Sequence, residues 1–249
     1  MMRISNSFLK NNYLIIIFII FLSLIIDKLF FLQINNPPAW DQGYHLSNVF
    51  KMYNILNDQG INISEKFNQI LNVTDSYRGP LTYFISAIFL NIFDNTYQFA
   101  YLSNQIFNII CILSIFNLSK LLKNESTGIW AALIFSFSSI VINQRSDYLI
   151  DLSLASFSTL SFLFFTKWYL DKKKFSFYSS LAGATLGLIF LTRPTGVVIF
   201  FLSFLCLVLK LIKRKNYFNY GLGEIIIFFT TFIVVIFPWF SRNWLTIIT

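Results

Sequence analysis

Long apolar segments dominate this chain and limit what it can fold into. Seven of them approach the roughly 20 apolar residues that a helix needs to cross a bilayer. They cover residues 13–34, 97–119, 128–142, 152–169, 177–191, 196–211 and 222–240. With 56% hydrophobic and 12% charged residues and a mean hydropathy of +0.64, the composition predicts an all-α integral membrane protein.

A shorter apolar segment, residues 81–93, decides the predicted topology. As a helix it would be only about 20 Å long, shorter than the ~30 Å hydrocarbon core, so we expect an interfacial or re-entrant helix. If the N-terminus is cytoplasmic, the lysine-rich loops near residues 120–123, 167–174 and 210–215 all face the cytoplasm, as the positive-inside rule requires. We therefore predict about seven transmembrane helices, a cytoplasmic N-terminus and an extracytoplasmic C-terminus, in a plasma or inner membrane.

Residues 35–96 form a long first extracytoplasmic loop in this topology. The loop contains two candidate polar helices, at residues 42–57 and 64–72, and ends with the short apolar segment. The whole chain, residues 1–249, is predicted to be one transmembrane domain to which these juxtamembrane helices belong.

Isolated arginines and carboxylates fall on the predicted extracytoplasmic face, in contrast to the lysine clusters of the other face. They are Asp41, Arg78, Arg145, Asp147, Asp151, Arg193 and Arg242. A guanidinium group pairs bidentately with phosphate, and a nearby carboxylate can accept a proton. The set therefore indicates a site for a phosphate-bearing lipid substrate.

Each of these residues also has a simpler structural explanation. Asp41 and Asp151 stand where an aspartate caps a helix N-terminus, which is worth about 1 kcal/mol. Arg193 follows a helix, where a cation is favoured by the helix dipole. Arg78 and Arg242 are suited to contact lipid headgroups at the membrane boundary.

Two further candidates depend on their neighbours. Arg145 and Asp147 can form a local ion pair, which contributes little at a surface. His45 lies one helical turn after Asp41, so the two can share a helix face and even a metal ion, although a lone histidine is more often an ordinary polar residue.

Several classes of function find no support in the sequence. The net charge of +8 is spread over short loops, which indicates membrane topology and argues against a nucleic-acid partner. There is no glycine-rich phosphate loop, no cluster of metal-ligating Cys and His and no Gly-x-Ser-x-Gly elbow. No cofactor is indicated, and no residue pattern calls for a divalent metal.

Five motifs, in order along the chain, resemble the N-terminal half of the GT-C glycosyltransferases that use polyprenyl-phosphate sugars. The resemblance is to the branch of protein mannosyltransferases and aminoarabinose transferases. The matching segments are WDQGY at 40–44, RGPLTY at 78–83, the aspartate-bearing segment 145–152, LTRP at 191–194 and PWFSRN at 238–243.

This resemblance implies a reaction and roles for individual residues. The first-loop aspartate of the family acts as general base, which by position is Asp41, and the reaction transfers the sugar with inversion to a hydroxyl acceptor. Arg193 or Arg242 would stabilise the departing phosphate, Asp151 would orient the acceptor or the base, and Arg78 would contact the lipid phosphate. Tyr83, Arg145 and Asp147 lie in matching segments and complete the expected substrate-binding set.

The chain departs from the family pattern in three ways. Gln42 stands where the family has Glu, Arg193 stands where Lys is common, and relatives continue beyond the position where this chain stops. An inactive fragment of the transferase is therefore one alternative. The other is a non-enzymatic membrane protein, such as a transporter subunit or a partner in polysaccharide export, although a transporter should carry polar or broken helices near mid-membrane.

Overall fold

The computed structural model describes residues 6–33, 40–75, 77–93, 96–171, 177–213 and 218–248. Within these ranges all regular structure is helical, which confirms the predicted all-α class. The helices are α1 (Asn6–Gln33), α2 (Trp40–Asn57), α3 (Ile63–Asn72), α4 (Leu81–Ile92), α5 (Tyr97–Ala100), α6 (Leu102–Leu122), α7 (Glu125–Phe137), α8 (Ser139–Ser146), α9 (Asp151–Leu170), α10 (Tyr178–Thr192), a 3-10 helix (Pro194–Phe200), α11 (Phe201–Lys213) and α12 (Phe218–Ile248).

Three segments of the described chain are long and apolar enough to cross a membrane, so the count of seven is not confirmed. They are Asn12–Leu29, Tyr97–Leu122 and Leu222–Leu245. Helices α7 and α8 make a fourth if they form one span, but they are bent by 56°. Ser138 causes the bend because its backbone is extended, with φ −68° and ψ 138°.

The remaining candidate segments are too short or too polar to count as membrane spans by length and composition. The 15 residues of α10 make a helix of only about 22 Å. Helix α9 has 20 residues but carries many hydroxyl side chains. These side chains are tolerated because α9 packs between α6 and α10 inside the bundle. Helix α4 is short, as predicted for residues 81–93, and the polar helices predicted at 42–57 and 64–72 are present as α2 and α3.

The main hydrophobic core lies where α9, α10, α11 and α12 meet. Phe165, Trp168 and Phe228 pack against one another there, with ring centroids 5.6 to 6.1 Å apart. A separate core lies under α2 and α4 and includes Val49 and Tyr83, both inaccessible to solvent. The first-loop helices are therefore packed onto the bundle and do not merely cover it.

Hydrogen bonds fix these loop helices to one end of the bundle, which we call the loop end. The hydroxyl of Thr82 on α4 lies 2.7 Å from that of Ser153 on α9. The amide of Asn243, near the end of α12, donates to the carbonyl oxygen of Leu71 on α3 at 3.2 Å. The start of α9 and the end of α12 therefore both lie at the loop end.

Candidate functional site

Asp41 lies in the first turn of α2, one residue after the helix begins at Trp40. It therefore stands inside the helix and not at the N-cap position that the sequence predicted. Its side chain is exposed and forms no hydrogen bond or ion pair with the described residues. A first-turn carboxylate is favoured by the helix dipole by about 0.3 to 1 kcal/mol, and here it also remains free to accept a proton.

His45, one turn further along α2, is buried against Tyr83 of α4. Its Nδ1 lies 2.6 Å from the Tyr83 hydroxyl oxygen. Burial, followed by the charge of Arg78, lowers the pKa of His45 to about 4, while the carboxylates of Asp41, Asp151 and Asp75 act in the opposite direction. His45 is therefore neutral at physiological pH, and these four charged groups surround it closely enough to influence its titration.

The sequence did not single out Asp75, which holds Arg78 in place. The Asp75 Oδ2 accepts hydrogen bonds from the Tyr44 hydroxyl at 2.7 Å and from Arg78 Nη1 at 3.1 Å. The Arg78 guanidinium also lies 4.7 Å from the centre of the Tyr44 ring, a cation–π distance. The spacing of three residues between Asp75 and Arg78 was the available signal, because such a pair meets readily within one turn.

Asp151 and Arg193, which the sequence predicted as site residues, meet at the loop end. Asp151 opens α9 and Arg193 follows α10, and Arg193 Nη1 lies 3.7 Å from Asp151 Oδ1. Both side chains are about half exposed, at 50% for Asp151 and 48% for Arg193. A long and exposed ion pair of this kind is worth less than about 1 kcal/mol, so another anion can replace Asp151 as the partner of Arg193 at little cost.

Gly79 joins the turn of Arg78 to the turn of Arg193. Its backbone N–H donates to the carbonyl oxygen of Thr192 at 3.1 Å. A Cβ atom added to Gly79 would lie only 1.9 Å from the carbonyl oxygen of Leu191. The two turns approach so closely that only glycine fits between them.

Arg145 lies away from this set, inside the protein. Its Nε donates to Asp27 Oδ1 of α1 at 2.8 Å, and its Nη1 donates to the carbonyl oxygen of Ser136 at 2.7 Å. The side chain thereby connects α8 to α1 and α7. The predicted ion pair with Asp147 is not formed, and the predicted substrate-binding role of Arg145 stays a prediction.

Asp147 anchors the first turn of α2. Its Oδ1 accepts a hydrogen bond from Gln42 Nε2 at 2.9 Å, and the Tyr101 hydroxyl donates to Gln42 Oε1 at 3.3 Å. The departure from the family's Glu at position 42 now has a physical reason, because a glutamate there would place a second carboxylate against Asp147. An amide satisfies both neighbours.

Arg242 and Tyr83, two further predicted substrate-binding residues, have other contacts. Arg242 is exposed near the end of α12, where it donates to Asn68 on α3 and, at 2.8 Å, to the carbonyl oxygen of Pro238. Among the described residues no hydrogen bond or ion pair connects it to Asp41 or Asp151. Tyr83 is fully buried, so it faces His45 and not the surface.

The described residues bring together no group of three or more His, Cys, Asp or Glu side chains that could hold a metal ion. His45 and Asp41 share one end of α2, but His45 Nδ1 is occupied by the Tyr83 hydroxyl. What this end of the protein offers chemically is a carboxylate with no partner among the described residues, an arginine oriented by Asp75, a second arginine that is weakly held by Asp151, and a neutral histidine.

A comparison with protein families agrees with the motifs. Residues 77–239, more than half of the chain, match the family described as dolichyl-phosphate-mannose-protein mannosyltransferase. No curated protein matches the sequence. The matched segment contains Arg78, Asp151 and Arg193, whereas Asp41 and Arg242 lie outside it. The apolar helices and this match together identify the chain as an integral membrane protein that belongs to the dolichyl-phosphate-mannose-protein mannosyltransferase family, whose members are membrane glycosyltransferases of the GT-C type.

Proposed function

We propose that this protein transfers a sugar from a polyprenyl-phosphate donor to a hydroxyl acceptor, with inversion at the anomeric carbon. The observation that carries this proposal is the grouping at the loop end. The carboxylate of Asp41, which has no partner among the described residues, lies with Arg78 and Asp151 around His45, and Asp151 in turn pairs only loosely with Arg193. A proton acceptor and phosphate-binding cations are the two requirements of the reaction.

Asp41 acts as the general base. The acceptor hydroxyl gives its proton to the Asp41 carboxylate while its oxygen attacks the anomeric carbon. The bond between that carbon and the phosphate oxygen breaks, and the polyprenyl phosphate leaves with the electron pair. The absence of any hydrogen bond or ion pair to Asp41 from the described residues supports this role, because a paired carboxylate is a weaker base.

Arg193 binds the leaving phosphate. In the unliganded protein it is held by Asp151 at 3.7 Å, and a phosphate competes well with so weak a pair because guanidinium–phosphate pairing is bidentate. Once released, the Asp151 carboxylate is available to orient the acceptor. Arg78, already oriented by Asp75 and Tyr44, supplies a second phosphate contact, and Arg242 a contact on the α3 side.

The other predicted residues position this set. Tyr83 fixes His45 by a short hydrogen bond, and Asp147 holds Gln42 and thus the turn that carries Asp41. Arg145 braces α1 against α8, so we place it in support of the site and outside the substrate contacts.

We also propose the seven-crossing topology with a cytoplasmic N-terminus and the loop end outside. The order of helix ends supports it: α6 and α9 begin at the loop end, while α8, α10 and α12 end there. The chain therefore passes through the bundle with α1, α6, α7–α8, α9, α10, the 3-10 helix with α11, and α12. The polar helix α9 and the short helix α10 pack against other helices of the bundle, α9 against α6 and α10, and α10 against α9 and α12.

The transfer proposal is tested by Asp41→Asn in detergent-solubilised protein, supplied with a radiolabelled polyprenyl-phosphate sugar and a mixed hydroxyl acceptor pool. We expect transfer to fall by at least about 100-fold, the usual contribution of a general base. Glu65→Gln is the matched control, because Glu65 is also an exposed first-turn carboxylate, on α3. Undiminished transfer by Asp41→Asn would remove Asp41 from the mechanism, and equal losses in the two variants would assign the effect to the helix dipole.

A further inference from the structure

Tyr44, Asp75 and Arg78 form one contact between α2 and the turn before α4. Asp75 Oδ2 accepts hydrogen bonds from the Tyr44 hydroxyl at 2.7 Å and from Arg78 Nη1 at 3.1 Å. The Arg78 guanidinium also lies 4.7 Å from the centre of the Tyr44 ring. Each of the three side chains therefore touches both of the others, and a change in one should release the other two.

Both carboxylate oxygens of Asp75 are occupied in this arrangement. Oδ1 accepts a hydrogen bond from the backbone N–H of Tyr77 at 3.1 Å, which closes the turn that leads to Arg78, while Oδ2 serves the two side chains. A general base must be within hydrogen-bond reach of the proton that it takes and open to receive it. Asp75 is therefore not a second base beside Asp41, and its contribution lies in where it holds its partners.

The contact links the two kinds of group that the transfer reaction needs. Asp41 and Tyr44 are three residues apart in α2, so they lie on the same side of that helix. Asp75 thereby connects the turn that carries the base to the arginine that would bind phosphate. The Arg78 side chain stays 32% exposed, and Asp75 engages Nη1 without using the whole guanidinium group, so a phosphate can still reach it.

The docking of α2 does not depend on this contact. Val49 and Met52 are inaccessible to solvent and hold α2 in the core that it shares with α4. Tyr44 and the Asp75 side chain are partly exposed, at 37% and 35%. Removing the Asp75 carboxylate should therefore free the side chains of the contact while α2 stays in place.

We propose that Asp75 is a positioning residue for sugar transfer, with Tyr44 as its partner. It holds Arg78 in a fixed place relative to the turn that carries Asp41, so that the donor phosphate is bound where the base can serve the acceptor. This inference rests on the proposed function. A role through charge alone would have another signature, because loss of the negative charge beside Arg78 would strengthen phosphate binding and lower KM, whereas lost positioning lowers kcat.

The values of kcat and KM for the full chain in detergent, with a radiolabelled polyprenyl-phosphate sugar, test the proposal. Asp75→Asn should lower kcat by at least about tenfold, towards the ~100-fold that a misplacement of about 1 Å can cause, with little change in KM. Tyr44→Phe keeps the ring and should lower kcat by about fivefold, which corresponds to one hydrogen bond. Asp75→Glu keeps the charged acceptor and should retain more kcat than Asp75→Asn.

Asp58→Asn is the matched control. Asp58 Oδ1 also closes an exposed turn, by accepting a hydrogen bond from the Gly60 N–H at 2.8 Å, but within the described part of the chain Asp58 holds no arginine. This variant should leave kcat and KM unchanged. A loss of kcat in Asp58→Asn equal to that in Asp75→Asn would contradict a specific role for Asp75.

A double-mutant cycle separates positioning from a general effect on folding. Because Asp75 acts through Arg78, Asp75→Asn should cost little further transfer in an Arg78→Gln background. Additive losses, or a lower KM with unchanged kcat in Asp75→Asn, would overturn the proposal.

Thermal unfolding of Tyr44→Phe, Asp75→Asn and the double variant reads the contact without any transfer, and the shifts in unfolding temperature should be non-additive. Non-additive shifts in a wild-type chain that transfers no sugar would overturn the proposed function, and with it the role of Asp75, while confirming the contact. Transfer by the wild type with additive losses in the cycle would overturn the role of Asp75 alone.

Discussion

Replacing Gly79 with alanine should separate the two turns that carry Arg78 and Arg193. The added Cβ would lie 1.9 Å from the carbonyl oxygen of Leu191, 2.3 Å from its carbonyl carbon and 2.8 Å from its Cα. All three atoms belong to the backbone near the end of α10, so no side-chain rotation relieves the overlap. The turn must move as a unit.

The structure gives the size of this movement. An ordinary contact begins at about 3.4 Å, so the turn must withdraw by about 1.5 Å, which breaks the 3.1 Å hydrogen bond from Gly79 to Thr192. Overpacking of this kind costs about 1 to 3 kcal/mol, and the lost hydrogen bond adds about 1 kcal/mol. A displacement of about 1 Å at a substrate-binding group can also lower the reaction rate by about 100-fold.

Thermal unfolding in detergent, followed by the transfer assay below the unfolding temperature, separates the two effects. Gly79→Ala should unfold at a lower temperature than the wild type and lose transfer even where it is fully folded. Gly223→Ala is the control, because a Cβ at Gly223 meets nothing within 4 Å and alanine favours a helix. If Gly79→Ala unfolds like Gly223→Ala and keeps its activity, the close approach of the two turns is wrong.

Two further predictions concern the pH dependence of stability and the topology. Because the pKa of His45 falls from an ordinary value near 6.5 to about 4 on folding, the unfolded chain binds more protons between these values. The free energy of unfolding should therefore fall as pH is lowered from about 6.5 to 4, by up to about 3 kcal/mol. His45→Gln should flatten this dependence on pH. An unchanged slope in that variant would contradict the burial of His45. In a Cys206→Ser background, a membrane-impermeant maleimide should label Ser64→Cys on intact cells and Lys123→Cys only after permeabilisation, and the reverse pattern would invert the proposed topology.

The sequence was informative wherever one local signal sufficed. The apolar and polar patterns located α2, α3 and α4 within a few residues, because amphipathic periodicity and helix length are local properties. The same holds for Asp151 and Arg193, which were found as charges at helix ends. Their ion pair was not predicted, because it depends on the neighbouring packing of α9 and α10.

Long-range pairing was the main limit on prediction. Arg145 was expected beside Asp147, two residues away, yet it pairs with Asp27, 118 positions earlier in the chain. A buried guanidinium takes the partner that burial offers, and this depends on how α1 packs, which no local pattern records. The bend at Ser138 was missed for a similar reason, because residues 128–142 are apolar enough to suggest a single straight helix.

The amide at position 42 has a consequence for how many bases the site contains. Asp41 lies outside the segment that matches the family, and the hydrogen bond from Gln42 to Asp147 is one of the contacts that join its helix turn to that segment, together with the contact of His45 with Tyr83. With glutamate at position 42, its carboxylate would lie against that of Asp147, and their repulsion would raise the pKa of at least one of them. With glutamine, the contact becomes attractive and holds the first turn of α2 against the loop after α8, while Asp41 remains a single carboxylate. The departure from the family pattern therefore favours one base, Asp41, over a shared acidic pair.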